Sequence, residues 1–309
     1  MKKFTKGALI AALVFVALGT ALCFAGAGIG FHYSSIPKMI KEGVFSIGPE
    51  DVWHWNDWDN DWKSWNGGTT EEYDFSAEEC SEIRSLNLVV DCGIVEVEET
   101  GKNEGIHIDV KYRRKNSKRN ISVDKSGDTL KIKDDTSWNF LNSDNIYIKI
   151  QIPADMEFET VELQNKAGEV SVNHALHTKD LNVIVGAGEC NINKELQVAG
   201  TLYAEVDAGQ IDFAGISAEK LELNAGVGEL DVEHASADEV ILDCGVGELN
   251  ITLDGREDDY SYSVDCGVGE VTVGGSDYSG LGATKEVTGG DKKVNIDCGV
   301  GEITVDFTK

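Results

Sequence analysis

Three aspartates stand directly before three cysteines in near-copies of one phrase: Asp243-Cys244 in LDCGVGELNI, Asp265-Cys266 in VDCGVGEVTV and Asp297-Cys298 in IDCGVGEITV. Four glutamates, Glu229, Glu248, Glu270 and Glu302, follow the glycine turn of the same phrase. Carboxylates in rows are hard oxygen ligands, and the chemistry they offer is weak binding of divalent cations. Two unit charges ~4.8 Å apart, the spacing of neighbouring strands, repel by about 0.9 kcal/mol in water, which a bound cation relieves. The alternative is a solvated acidic edge that discourages sheet-to-sheet pairing. The cysteines, with Cys92 of VVDCGIVEVE taken as a fourth, read as a column of small core residues. Stacking also brings their Cα atoms within disulfide range. A metal site is the third alternative, weakened because no C-x-x-C pair exists.

Catalytic constellations are missing from the pattern. There is no G-x-S-x-G elbow, H-E-x-x-H or P-loop. The GVGE turns lack the helix and lysine of a phosphate cradle, and their Glu would repel phosphate. The six histidines are scattered; His174 and His177, three apart in NHALHT, would serve either as a metal pair or as solvated loop residues. The expectation is a protein that is not an enzyme and carries no cofactor beyond a weakly held divalent cation.

The elements that must position these residues are short alternating strands on either side of each turn. LNAGVGELDV, VIVGAGECNI, AEVDAGQIDF and LQNKAGEVSV are looser copies. The glycine before Glu or Gln recurs at Gly168, Gly188, Gly209, Gly228, Gly247, Gly269 and Gly301, at intervals of 20, 21, 19, 19, 22 and 32. One such unit cannot bury its own apolar face, so the units must stack. The fold class expected is all-β: a single-stranded β-helix or β-solenoid with rungs of ~20 residues, preceded by an N-terminal transmembrane helix. Antiparallel hairpins assembled into a sandwich are the competing arrangement. The last interval carries an insertion, 274–290, expected to leave the stack as a surface loop.

Three regions follow from composition. In 1–31, Lys2, Lys3 and Lys6 precede 25 uncharged residues from Gly7 to Phe31, long enough to span a bilayer. A signal peptide cleaved after Ala25-Gly26-Ala27 is the alternative. The basic flank stays cytoplasmic, which makes the chain a single-pass cell-membrane protein with its C-terminal domain extracytoplasmic. In 32–75, a Trp/Asp-rich juxtamembrane segment sets Trp55, Trp58, Trp62 and Trp65 on one helical face. That stripe reads as a cap on the β-array, an interfacial anchor or a ligand platform. Residues 76–309 form the repeat domain. It includes a basic stretch, 111–120, read as a solvated turn or as a contact for an anionic polymer. The net charge of −28 excludes nucleic acid as a partner.

On its DCGVGE units, Lys-led N-terminal span and acidic Trp-rich segment, the chain resembles the bacterial β-strand-repeat family labelled "putative adhesin", a domain of unknown function. The likeness covers 80–309. It implies a right-handed β-helix-like domain outside a Gram-positive-type membrane, with no enzymatic activity and no catalytic residue. Val95, Gln210 and the 274–290 insertion depart from the pattern. The function expected is adhesion or cell-envelope interaction by a membrane-anchored extracytoplasmic protein; the alternative is a sensory module of an envelope-stress response. Expected partners are the membrane, through the N-terminal helix, and an envelope polymer or another protein. Because the chain ends at Phe307-Thr308-Lys309, just after the rung of Ile303 and Val305, that C-terminal rung is expected to be the open end, covered by 274–290 or by a second copy.

Overall fold

Alternation with period two builds the strands. In Lys220–Ala225 the side chains of Leu221, Leu223 and Ala225 are buried and those between them are not, and Glu239–Cys244 repeats the pattern through Val240, Leu242 and Cys244. A computed structural model describes residues 68–113, 119–135, 146–278 and 282–309, all within one compact unit, Asn66–Ser137 together with Asp144–Lys309. The expected membrane helix within 1–31 and the stripe of Trp55, Trp58, Trp62 and Trp65 lie outside the described residues. Among the described residues, no helix is long and apolar enough to cross a membrane.

In chain order the strands are β1 (Thr69–Phe75), β2 (Ser85–Val90), β3 (Gly93–Thr100), β4 (Ile106–Tyr112), β5 (Ile121–Ser126), β6 (Thr129–Asp134), β7 (Ile146–Pro153), β8 (Glu157–Asn173) and β9 (His177–Val198). They continue with β10 (Thr201–Val206), β11 (Gln210–Ser217), β12 (Lys220–Ala225), β13 (Glu229–Ser236), β14 (Glu239–Cys244) and β15 (Glu248–Leu253). Last come β16 (Tyr260–Cys266), β17 (Glu270–Val273), β18 (Ser276–Asp277), β19 (Ala283–Val287), β20 (Lys292–Cys298) and β21 (Glu302–Phe307). A short helix, α1 (Ala77–Cys80), joins β1 to β2; Ser76 and Glu79 close its N-terminus with a reciprocal capping box. β1 lies before the expected domain boundary at 76 and pairs antiparallel with β4, so the domain starts within the segment read as juxtamembrane.

The strands form two ladders, and each rung gives one strand to each. In the first ladder β2, the front of β8, the front of β9, β10, β12 and β14 pair parallel in that order. In the second, β3, the back halves of β8 and β9, β11, β13 and β15 do the same. Strands joined by a GVG turn therefore pair with the next rung rather than with each other, which excludes the hairpin arrangement. The inward side chains of both ladders make one continuous hydrophobic cluster.

Both ends depart from chain order. The C-terminal strands β20 and β21 lie between β14–β15 and β16–β17. The expectation that the C-terminal rung is the open end is thus corrected: it has a rung on each side. The outermost rung is β16–β17, and the 274–290 connector, expected as a surface loop, lays β19 against β16 and β18 against β17, both antiparallel. With that side occupied, β20 and β21 fill the inner one. At the other end β6 and β7 pair parallel outside β2 and β3. They are bordered in turn by antiparallel β5 and by β4 and β1. Reversed strands blunt the row of unpaired backbone groups that a parallel stack leaves open.

Candidate functional site

The turn edge carries the marker glycines, the Asp and Glu rows and the cysteine column singled out in the sequence. Its spine is a glycine column. A Cβ on Gly188 would sit 2.2 Å from the Gly168 carbonyl oxygen, on Gly209 2.1 Å from that of Gly188, and on Gly247 2.0 Å from that of Gly228. Close backbone approach requires glycine along this column, and at Gly168 a φ of 124° requires it as well. Gly93 opens the column, because a Cβ on Gly168 would meet its carbonyl oxygen at 2.1 Å.

That register corrects two expectations. Val95 pairs with Val170 and is a core residue, not a substitute for the column glycine. Cys92, directly before Gly93, takes the turn-tip position that Val246 takes before Gly247, so it does not belong to the cysteine column. Its carbonyl instead accepts from Arg119 Nη2 at 2.7 Å, and the same nitrogen also bonds Asp134. Arg119 and Asp134 form a buried ion pair, 4% and 0% exposed at the side chain, so the end of the basic stretch turns inward rather than to solvent or a polymer.

The true column runs Val90, Asn165, Val185, Val206, Ala225, Cys244, Cys298, Cys266. Cys244, Cys298 and Cys266 are fully buried, and every cysteine among the described residues is a free thiol. Cys298 Sγ donates to the Gly301 carbonyl oxygen at 3.2 Å, and its interaction with Cys244, then burial, raises its pKa. Cys190, inward on the other ladder, is pushed up to about 12, chiefly by burial. These thiols are packing groups. Asn165, in the same column, is buried with neither amide atom hydrogen-bonded to a described residue.

Asp243, Asp297 and Asp265 align across three rungs. Glu229, Glu248, Glu302 and Glu270 align beside them, and the row runs back through Gln210 to Glu189 and Glu169. The rows align, but in the order 243, 297, 265 and 248, 302, 270 rather than in the chain order that the spacing implied. Burial and then Asp297 raise the pKa of Asp243; burial, then Asp231, raises that of Glu229. Amides interleave with the acids: Asn250 Nδ2 donates to Asp231 at 2.8 Å and to Glu248 at 2.9 Å, and Asn191 Nδ2 donates to Glu189 at 2.8 Å. Among the described residues, no three His, Cys, Asp or Glu side chains are grouped to hold a metal ion. His174 and His177 do not form a pair. His174 is wholly buried, its Nε2 3.1 Å from the Pro153 carbonyl oxygen, while His177 is exposed. Burial lowers the pKa of His174, which corrects the solvated-loop reading for that residue.

The Toastrack DUF4097 profile matches residues 83–298. The chain belongs to the Toastrack DUF4097 family. The Toastrack stack is similar to a solved "putative cell adhesion protein" from Clostridium sporogenes, with 15% identity over 78% of this chain and 100% of that one and a TM-score of 0.33. It is also similar to a "putative adhesin" from Parabacteroides distasonis, with 12% identity over 77% and 98% and a TM-score of 0.44. A "putative lipid binding protein" from the same species shares 14% identity over 77% and 97%, with a TM-score of 0.40. No curated protein matches. Sequence reasoning missed one feature of the Toastrack edge, the valine between the two glycines of each GVG turn. Val227, Val268 and Val300 are 53%, 46% and 39% exposed. The signal was their repetition at a position that a solvated turn has no reason to keep apolar.

Proposed function

We propose that this protein is a non-enzymatic, membrane-anchored extracytoplasmic β-solenoid that meets other envelope components through its turn edge. One observation carries the reading: the inside of the stack is filled by apolar side chains, while the outside presents the same acidic and apolar positions rung after rung. The gap beside Asn165 and Val185 does not admit a water molecule, so it offers no substrate site. The polar groups that repeat along the outside are the row carboxylates. Recognition by an extended repeated surface, not turnover in a cleft, is the chemistry such an exterior supports. Lys2, Lys3, Lys6 and the uncharged run after them supply the anchor and its orientation.

The experiment is labelling of intact cells with a membrane-impermeant maleimide after Thr284→Cys, an exposed position on β19. Labelling of a chain that keeps its native N-terminus is expected. Absence of labelling, or a mature N-terminus at Gly28, overturns the anchored topology.

A further inference from the structure

The three large hydrophobic side chains most exposed among the described residues, Val227, Val268 and Val300, occupy one slot of the repeat. Val246 completes the row, in the rung order 227, 246, 300, 268. The row is not a set of loose turns. Val246 N donates to Gly226 O at 2.9 Å, Val300 N to Gly245 O at 2.8 Å and Val268 N to Gly299 O at 2.8 Å. Each tip is held by the rung before it, so the valines form a fixed ridge along the stack axis. On the β14, β20 and β16 side the ridge is bordered by Asp243, Asp297 and Asp265; on the other side by Glu248, Glu302 and Glu270. Among the described residues, the ion pairs engage none of these six acids.

We propose that this ridge docks a basic amphipathic helix of a partner protein, its apolar stripe on the valines and its flanking lysines or arginines on the two carboxylate rows. This deepens the reading of the turn edge as the interaction surface. Charge selects the occupant: a second copy would set acid against acid, and an anionic polymer or lipid surface would be repelled. Spacing selects the helix. Successive rungs lie ~4.8 Å apart, and a helix stripe advances about 5.4 Å per turn. Alternate residues of an extended strand advance ~6.7 Å. Over the three intervals between four valines the helix drifts out of register by about 2 Å and the strand by about 6 Å. Continuation over Ala208 and Ala187, both exposed at the tip slot of earlier rungs, makes five intervals, or a helix of about sixteen residues.

The test uses the full chain in a mild detergent. The probe is a sixteen-residue Leu/Lys peptide with leucines at helical spacing, beside a scrambled peptide of the same composition, with binding to empty micelles subtracted. Binding to the chain at least tenfold tighter than the scrambled peptide is expected. The chain carrying Val227→Ser, Val246→Ser, Val268→Ser and Val300→Ser, which keeps every charge, should lose at least tenfold in affinity. Equal binding of both peptides, or no loss in the serine variant, shows attraction by charge alone and overturns the proposal. Should the serine variant fold poorly, a single Val268→Cys chain replaces it: the ordered peptide is expected to slow maleimide labelling of that thiol at least fivefold, and unchanged labelling overturns the proposal. Both readouts are in solution, so they stand or fall apart from the cell-labelling result on topology.

Discussion

At Gly247 a Cβ would lie 2.0 Å from the Gly228 carbonyl oxygen, and at Gly301 2.3 Å from that of Gly247. Neither backbone can retreat without losing ladder hydrogen bonds. Gly247→Ala is therefore expected to destabilise the domain by about 3 kcal/mol, the upper end of overpacking costs. Val246→Ala, one residue away at the tip, should stay within about 0.5 kcal/mol of the parent. Urea unfolding compares the two; an alanine at 247 with parental stability would mean the column tolerates side chains. The same steric rule explains what was legible here. The Glu and Asp rows were readable because their spacing from the marker glycine is constant. Cys92 was misplaced because Asp91-Cys92-Gly93 copies the letters of Asp243-Cys244-Gly245. Each GVG turn holds two glycines, and only the contact between backbones identifies Gly93 with Gly247.

Strand order is an element-scale property, and the repeat could not disclose it. The interval of 32 residues between Gly269 and Gly301 revealed an insertion, but every rung has the same apolar pattern, so the pattern permits any rung beside any other. The decision lies in the connector: β18 and β19 occupy the outer side of β17 and β16, which leaves β20 and β21 to join β14 and β15 to the end rung. Removing a terminal rung from a sequential stack would sacrifice one interface. Here deletion of 291–309 breaks two and strands β16–β17 with its buried Tyr260, Tyr262 and Val264. The truncated chain is expected to aggregate or to unfold at least 10 °C below the parent. A loss of only a few degrees would show that β16–β17 closes directly onto β14–β15.

Charge acts on the whole molecule. Residues 160–309 hold 29 acids against 9 bases, and the acids stand in rows that water and amides only partly screen. Asp212, Glu229 and Asp243 all have raised pKa values, from burial first and neighbouring carboxylates after it. A carboxylate raised in the folded state contributes stability in full below its unfolded pKa of about 4 and loses that contribution as pH rises through the folded value. At neutral pH the rows thus oppose folding, and lowering the pH toward about 5 relieves them. His174 works the other way: buried and neutral, it contributes above pH about 6.5 and costs stability as the pH falls. Pairing Asp243→Asn with Asp297→Asn separates the two. The double variant is expected to melt above the parent at pH 7.5 and to show a flatter profile between about pH 4 and 6, with the His174 limb unchanged. Calcium at about ten times its dissociation constant adds about 1.4 kcal/mol by mass action, or roughly 3 °C in a domain of this size. The shift should appear at pH 7.5, shrink at pH 4 as the rows protonate, and fall in the double variant. A calcium shift of equal size at both pH values would assign the cation to groups outside the rows.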